Sequence, residues 1–192
     1  MNKAVFLDRD GTINIERNYL YKAEDFVFID GAVEAIKIFR SLDYKVIVIT
    51  NQAGVARGYY SESDVDKLHN YIDAELIKEG IYIDAYYYCP HHPEGTIPEY
   101  AVICNCRKPK TGLIEKAVRD WNIDLSESIM IGDKEIDVNT GKNAGVKYCI
   151  LVRSGHIINE SDTVADLVCD NLIDFANRIV SITTLTKHES IK

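Results

Sequence analysis

Two aspartates one residue apart follow the first apolar run of the chain, in the sequence AVFLDRDGTIN. Burying Asp8 and Asp10 at the end of a strand is costly unless the carboxylates are paired or bind a ligand. Polar residues follow later apolar runs in the same way: Thr50 and Asn51 follow one, and Asp133 follows another. Because carboxylate and hydroxyl oxygens suit hard cations, we expect these side chains to meet around a metal ion, with Mg²⁺ as the default.

The elements that must position these residues alternate between strand-like and helix-like patterns. Continuous apolar runs predict strands at 4–7, 45–49, 83–88, 128–131, 148–152 and 167–169. Apolar residues at helical spacing predict helices at 32–42, 61–78, 111–121, 136–143 and 172–180. Strands without alternation, separated by helices, predict a parallel sheet covered on both faces. Ligands of such sheets bind at the carboxyl ends of the strands, which is where the polar residues lie.

A second set of candidate ligands lies in the segment CPHHPEGTIPEYAVICNCRKPK. Its two close pairs are Cys89 with His91 and Cys104 with Cys106, a set that suits tetrahedral zinc. His92 is the alternative to His91, and reduced thiols without a metal are the alternative to a site. Four protein ligands leave no open position, so we expect a structural zinc. Because two cations, Arg107 and Lys108, follow directly, we hypothesise that zinc orders the loop that carries them.

Size and charge narrow the class of protein. A chain of 192 residues fits one domain, which we place at 1–182 with a polar tail at 183–192. The net charge of -8 argues against nucleic acid as a partner. We expect a cytoplasmic protein, because the apolar runs are too short to span a membrane and the sequence has no export signal. We also expect a monomer, because no exposed apolar stripe requires a second subunit. The odd count of five cysteines favours thiols or metal ligands, and Cys149 and Cys169 read as core residues.

Four stretches in order, FLDRDGT, VITNQ, RKPKTG and MIGDKEID, resemble the motifs of the haloacid-dehalogenase-like phosphatases over roughly residues 4–155. The resemblance implies an α/β fold, a Rossmann-like three-layer sandwich with a central parallel sheet. Little sequence lies between the first and second motifs, so the chain is similar to the capless members. The expected structure is therefore a capless sandwich that carries a zinc-binding loop.

The resemblance also implies roles at the strand ends. Asp8 would attack phosphorus and form an aspartyl-phosphate, and Asp10 would protonate the leaving oxygen and then activate water. Asp8, the Asp10 carbonyl and Asp133 would hold Mg²⁺. Thr50 and Lys108 would bind the oxygens of the transferred phosphoryl group.

The zinc loop and the stretch NQAGVARGYY are similar to a branch that contains heptose-bisphosphate and histidinol-phosphate phosphatases, and more similar to the former. The resemblance implies that the chain hydrolyses the 7-phosphate of a small sugar bisphosphate, heptose 1,7-bisphosphate. Arg57 suits a second, remote phosphate because arginine binds phosphate with two donors. The implied substrate-binding residues are Asn51, Gln52, Arg57, Arg107 and Lys108, with lesser candidates at Lys110 and 14–18. Lys134 and Asp137 follow the metal ligand Asp133: Lys134 is a lesser candidate to contact the site, and Asp137 is expected to lie directly behind the metal ligands.

Other functions remain open at this point. A phosphatase for histidinol phosphate and a polynucleotide 3′-phosphatase share some of these motifs. A phosphate-binding regulatory module without catalysis is the non-enzymatic alternative, although binding alone does not need Asp8 and Asp10 together. The anomer preferred at the first carbon of the sugar also stays open.

Overall fold

A six-stranded sheet forms the centre of the computed structural model, which describes residues 1–189 and their side chains as far as residue 181. Its strands are β1 (Lys3–Leu7), β2 (Tyr44–Asn51), β3 (Ala85–Cys89), β4 (Ile129–Gly132), β5 (Tyr148–Val152) and β6 (Leu167–Cys169). They lie in the order β3-β2-β1-β4-β5-β6, and every neighbouring pair is parallel. The predicted parallel sheet is confirmed, with strand ends moved by up to two residues.

The described helices are α1 (Ala32–Ser41), α2 (Glu62–Lys78), α3 (Gly112–Trp121), α4 (Glu135–Ala144) and α5 (Leu172–Glu189), with short 3-10 turns at Ala23–Asp25 and Leu125–Glu127. Ser61 caps α2: its hydroxyl accepts from the backbone of Asp64, whose carboxylate accepts from the backbone of Ser61. All five predicted helices are present.

The last helix is longer than the sequence pattern predicted. We expected it to end near residue 180, but α5 continues to Glu189, so the segment 183–192 is helical over most of its length. Apolar residues recur at Ile179, Ile182 and Leu185, a helical spacing that leads into this segment and that the polar residues between them obscure. The remainder of the expected tail, 190–192, lies outside the described residues.

Helices cover both faces of the sheet. One core joins α1, α2 and α5 to side chains from one face of the strands, including Val5, Val48 and Ile131. A second core joins α3 and α4 to the opposite face, including Phe6 and Ile49. The result is the predicted three-layer sandwich, and only a 3-10 turn and α1 lie between β1 and β2, so no cap is inserted there. Among the described residues, every helix is too short or too polar to cross a membrane.

The sheet order places its switch point beside β1. The chain passes from β1 to β2 on one side, while β4 pairs with β1 on the other. Crossover connections leave the sheet in opposite directions there, which opens a crevice at the carboxyl ends of the strands. Cys149 and Cys169 are fully buried in the two cores, as predicted.

Candidate active site and metal centres

Three buried carboxylates meet at the switch point. Asp8 follows β1, Asp133 follows β4, and Asp137 lies in the first turn of α4. One oxygen of each lies within 4.8 Å of the others, and we call these three residues the acidic cluster. Two unit charges at about 4.8 Å repel by about 3 kcal/mol at an effective dielectric constant of about 20. The cluster therefore needs positive charge to remain ionised.

Burial and mutual repulsion raise the pKa values of two carboxyls in the acidic cluster. Burial, together with the charge of Asp8, raises the pKa of Asp137 to about 7, although Lys108 opposes the shift. Burial and the Asp8 charge also raise the pKa of Asp133. Carboxyls with raised pKa values in a cleft are typical of functional sites.

Lys108 supplies one positive charge to the acidic cluster. Its amino group lies 2.9 Å from Asp8 Oδ1 and 2.5 Å from Asp137 Oδ1, and it donates to the carbonyl of Ile49 at 3.0 Å. Burial alone would lower the pKa of Lys108, but the charges of Asp137 and Asp8 raise it above its usual value. Three carboxylates against one ammonium leave a formal charge of about −2, which a divalent cation would neutralise.

The donor set fits a magnesium ion on a second ground. Asp133 Oδ1 is buried and has no hydrogen-bond partner among the described residues, although an unpaired buried carboxylate oxygen is costly. Asp133 Oδ2 is held instead by the backbone N–H and the Nδ1 of His156, at 3.1 and 2.6 Å. The hydrogen bonds from His156 therefore orient the free oxygen as a metal ligand. Carboxylates that bind metals are usually held by hydrogen bonds of this kind.

Asp10 lies outside the acidic cluster. Its carboxylate accepts hydrogen bonds from Arg9, from Asn14 Nδ2 at 3.0 Å and from Gln52 Nε2 at 3.0 Å. Burial would raise the pKa of Asp10, but Arg9, Asn14 and Gln52 together hold it below its usual value. Asp8 and Asp10 therefore occupy different environments, although only one residue separates them.

The residues at the end of β2 mainly hold the site together. Asn51 accepts from the backbone N–H of Lys108 at 3.0 Å and donates to its carbonyl at 3.3 Å, which fixes the lysine's backbone. Gln52 donates to Thr50 Oγ1 at 2.9 Å and accepts from the Tyr60 hydroxyl at 2.7 Å. The amide groups of Asn51 and Gln52 are thus engaged by the protein itself, and substrate contact by them stays a prediction.

A cavity of about 240 Å³ opens above these groups. Its walls include nearly all of the predicted site residues that lie near the switch point: Asp8, Asp10, Thr50, Asn51, Gln52, Arg107, Lys108 and Lys134. Glu16 and Asn18, from the segment expected at the entrance, also line it. Lys134 reaches to 3.8 Å from Glu16 Oε2, so the wall between them carries both signs of charge.

The second metal centre is compact. The three sulfurs of Cys89, Cys104 and Cys106 lie 3.2–3.5 Å apart, and His91 Nδ1 lies 3.3 Å from Cys106 Sγ. We call these four residues the cysteine cluster. Its S–S separations are far beyond the ~2.05 Å of a disulfide, and a tetrahedral zinc with ~2.3 Å bonds to sulfur needs about 3.8 Å. The four groups therefore fit zinc with a small expansion, and His91 supplies the imidazole, whereas His92 Nδ1 accepts from the backbone of Glu94.

The loop that follows the cysteine cluster leads directly into the acidic cluster. Arg107 donates to the carbonyl of His91 at 3.3 Å, and Lys108 comes next with its backbone held by Asn51. Lys110 donates to the carbonyl of Cys104 at 2.8 Å and does not line the cavity. The geometry ties Arg107 and Lys108 to the cysteine cluster, while Lys110 braces the loop.

Positive charge gathers at the outer side of this loop. Burial lowers the pKa of His92, and the charges of Arg107 and Arg57 lower it further, so both guanidinium groups act on that imidazole. Arg57 Nε is buried and has no hydrogen-bond partner among the described side chains. An unpaired guanidinium N–H in a positive environment suits an anion.

Sequence reasoning missed two groups of residues at the site. His156 follows β5 at the same edge of the sheet, so the rule about strand ends predicts its position, but the resemblance stopped near residue 155. Arg9 and His69 form a buried contact behind Asp10, 3.3 Å between Nη1 and Nε2. His69 lies on α2, and its contact with Arg9 depends on how α2 packs against the sheet, which the sequence does not indicate.

Known proteins similar to this chain include several heptose-bisphosphate phosphatases. The HAD-hydrolase-like family model matches residues 105–175. The chain is 43% identical to D-glycero-beta-D-manno-heptose-1,7-bisphosphate 7-phosphatase of Haemophilus influenzae, over 91% of this chain and 95% of that protein. It is also 43% identical to the corresponding alpha-anomer phosphatase of Photorhabdus laumondii, over 92% of this chain and 96% of that protein.

A crystal structure of D,D-heptose 1,7-bisphosphate phosphatase from B. bronchiseptica, complexed with magnesium and phosphate, has the same fold. It superposes with a TM-score of 0.78 at 27% identity, and the match covers 93% of this chain and 98% of that one. The likeness thus extends over nearly the whole length of both chains.

Proposed function

The chain belongs to the heptose-bisphosphate phosphatase family of haloacid-dehalogenase-like hydrolases, and we propose that it removes the 7-phosphate of D-glycero-D-manno-heptose 1,7-bisphosphate. It is a phosphoric monoester hydrolase. The observation that carries the proposal is the acidic cluster with Lys108 at the switch point of the sheet, where Asp8 and Lys108 line the cavity.

In the first step, Asp8 attacks the phosphorus of the 7-phosphate. A bond forms between its carboxylate oxygen and phosphorus, and the bond from phosphorus to the sugar oxygen breaks. Asp10 gives a proton to that leaving oxygen, so the sugar departs as an alcohol. Burial would raise the pKa of Asp10, but Arg9, Asn14 and Gln52 lower it in the free protein, and the negative charge of the bound phosphate would favour the protonated form of Asp10. Lys108 and Thr50 bind the phosphoryl oxygens and stabilise the charge that they carry in the transition state.

In the second step, Asp10 takes a proton from a water molecule, whose oxygen attacks phosphorus. The bond to Asp8 breaks, inorganic phosphate leaves, and both carboxylates return to their starting states. Two easier displacements thereby replace one difficult one.

The residues present fit both metal ions of the proposal. Asp8, Asp133 and the Asp10 carbonyl would hold Mg²⁺, with Asp137 beside them, and the bound cation would offset the repulsion between a carboxylate and the phosphate dianion. The cysteine cluster would hold Zn²⁺ with all four positions filled by protein, which suits a structural role. Arg107 and Lys108 gain fixed positions from that cluster.

Arg57 and Arg107 are the proposed partners of the distal phosphate. Their positive charges act together at His92, and Arg57 Nε lacks a partner in the described structure. If they bind that phosphate, Arg57→Met raises KM for the bisphosphate about tenfold and leaves KM for the 7-monophosphate nearly unchanged.

A substrate panel tests the proposal. Phosphate release is measured from both anomers of heptose 1,7-bisphosphate, from histidinol phosphate and from a 3′-phosphorylated oligonucleotide, with and without Mg²⁺. The proposal predicts the highest kcat/KM for one heptose anomer and dependence on Mg²⁺. Faster turnover of histidinol phosphate or of the oligonucleotide would overturn the assigned substrate. The relatives are named for both anomers, so this panel also identifies the anomer.

We also propose that the protein acts in the cytoplasm as a monomer. None of the five cysteines forms a disulfide in the described structure, which is typical of a reducing compartment. A light-scattering mass of one chain in solution supports the monomer, and a mass of two chains contradicts it.

A further inference from the structure

We propose that Arg9 is a positioning residue that orients the Asp10 carboxylate, and that His69 holds Arg9 in place. The inference rests on the proposed function, because it concerns the proton that Asp10 gives to the leaving oxygen. It adds to the site two residues that lie behind the cavity wall and do not contact substrate.

Arg9 grips the Asp10 carboxylate with two prongs. Its Nη2 lies 2.8 Å from Oδ2 and 3.1 Å from Oδ1, and its Nε lies 3.3 Å from Oδ1. The same Nη2 donates to the carbonyl of Leu20 at 3.1 Å. A planar guanidinium that meets a carboxylate in this way fixes the plane of the carboxylate as well as its distance. The orientation of Asp10 therefore depends on how the guanidinium itself is held.

The far end of the guanidinium is held by His69. Arg9 is fully buried, and its Nη1 lies 3.3 Å from His69 Nε2. Because a guanidinium can only donate, Nε2 is the acceptor and the imidazole is neutral, with its proton on Nδ1. Burial, reinforced by the charge of Arg9, lowers the pKa of His69 to about 3, in agreement with that state.

His69 is itself fixed by packing. Its ring stacks on the ring of Tyr86, with centroids 4.3 Å apart and planes 17° apart. The Tyr86 hydroxyl donates to Asp73 Oδ1 at 2.8 Å, which locks the tyrosine between α2 and β3. A continuous chain of contacts thus connects two structural elements to the orientation of one carboxylate.

A purely structural ion pair would have different consequences. Loss of a structural pair lowers stability and affects every substrate alike. Loss of orientation at Asp10 impairs proton donation, which matters for a sugar alcohol and hardly at all for p-nitrophenolate, because the latter leaves without a proton. The ratio of the leaving-group release rates on the two kinds of ester, measured before water attacks the intermediate, separates these cases.

The experiment measures, in single turnovers, how fast the sugar alcohol leaves heptose 1,7-bisphosphate and how fast p-nitrophenolate leaves p-nitrophenyl phosphate. These rates report the first step alone, whereas kcat also contains the attack of water that Asp10 assists for both esters. Asp10→Asn defines the ratio of the two release rates when the acid is lost. Arg9→Lys keeps the charge but loses the two-pronged contact, and it should lower the release rate for the sugar ester about 10²-fold and for the aryl ester less than about threefold. His69→Leu should shift the ratio about tenfold in the same direction, whereas His69→Gln, which retains an acceptor, should restore it to within about threefold.

Equal losses on the two esters in both Arg9→Lys and His69→Leu, or no loss in either, would overturn the inference. If Arg9→Lys does not fold, as judged by thermal unfolding, the two His69 variants decide alone. The wild-type protein is measured first: if it hydrolyses neither ester, the proposed function fails, whereas an unchanged ratio in an active protein counts against the role of Arg9 and His69.

Discussion

The acidic cluster and the cysteine cluster each gather several ligands for a metal, but only the cysteine cluster is complete. Its three sulfurs and one imidazole fill the four positions of a tetrahedral ion. The acidic cluster retains a carboxylate oxygen without a partner, carboxyls with raised pKa values and an adjoining cavity. A site that admits a substrate has to leave charge and coordination unsatisfied, whereas a site that only holds a loop does not.

One residue of sequence, Arg107, separates the clusters, since Cys106 belongs to one and Lys108 contacts the other. Their effects should nevertheless separate. Changes at the acidic cluster should reduce kcat with the fold intact, and changes at the cysteine cluster should reduce stability and substrate affinity. Each prediction below tests one side of this contrast.

Asp8→Asn should have the largest effect. It removes the proposed nucleophile, so kcat should fall by at least about 10³-fold, while the melting temperature stays near that of the wild type. The matched control is Asp43→Asn, at an exposed position with a φ of 63° that asparagine adopts readily. Turnover by Asp8→Asn at a rate near the wild type's would remove the acidic cluster from the chemistry.

Lys108→Met should come next, with a loss in kcat of about 10²-fold, because the amino group stabilises the phosphoryl oxygens in the transition state. Lys110→Met is its matched control, two residues along the same loop. It should change kcat by less than about threefold, because its amino group donates to the carbonyl of Cys104 and does not line the cavity. Steady-state kinetics of the two variants check the prediction. Similar losses in both would mean that the loop, and not the Lys108 charge, carries the effect.

Cys104→Ser tests the structural role of the cysteine cluster. It removes one zinc ligand, so bound zinc should fall well below one ion per chain and the free energy of unfolding should fall by about 3 kcal/mol. KM should rise about tenfold and kcat should change less, since Arg107 loses its anchor. Cys149→Ala, in the core, serves as the control that keeps its zinc. Full zinc content with unchanged KM in Cys104→Ser would contradict a structural zinc site.

Stabilisation by Mg²⁺ should depend on pH, which is the smallest effect. Because the pKa of Asp137 is raised to about 7, its carboxyl takes up a proton as the pH falls through that value, and this proton competes with the cation. The Mg²⁺ concentration for half-maximal thermal stabilisation should therefore rise about fivefold between about pH 8 and pH 6. Thermal unfolding at each pH across a Mg²⁺ titration gives the value, and an unchanged midpoint would contradict the prediction.

The raised pKa of Asp137 has the opposite effect on the stability of the metal-free protein, which it increases at low pH. The folded chain holds the Asp137 proton more tightly than the unfolded chain, whose carboxyl titrates near 3.8. This group's contribution to stability is therefore present at low pH and is lost as the pH rises from 3.8 to about 7. Without Mg²⁺, Asp137→Asn should flatten that part of the pH dependence of unfolding.

The sheet and the two metal clusters could be predicted from the sequence because both follow from local patterns. Apolar runs define the strands, and the rule about strand ends brings Asp8 and Asp133 together without further information. Paired cysteines and a histidine define the second cluster by residue type alone. The four motifs added the family and the roles of single residues.

What the sequence could not predict depends on packing between distant elements. The sequence places Arg9 between two aspartates without indicating its partner, and the structure shows it fully buried with His69 of α2 against it. Asn51 and Gln52 stay predicted substrate-binding residues, but the hydrogen bonds of their amides to Lys108 and Asp10 could not be predicted from the sequence. The polar composition after residue 183 concealed the apolar spacing that extends α5.

Rapid acid quenching tests the central claim, that Asp8 in the acidic cluster accepts the phosphoryl group, most directly. Asp10→Asn is mixed with Mg²⁺ and p-nitrophenyl phosphate, whose leaving group needs no proton, and is then quenched and digested. The peptide that contains residue 8 is examined by mass spectrometry. The account predicts that this peptide gains the mass of one phosphoryl group on Asp8, and gains none when Mg²⁺ is omitted. Phosphate release without a phosphorylated peptide, or a phosphoryl group on another residue, would contradict it.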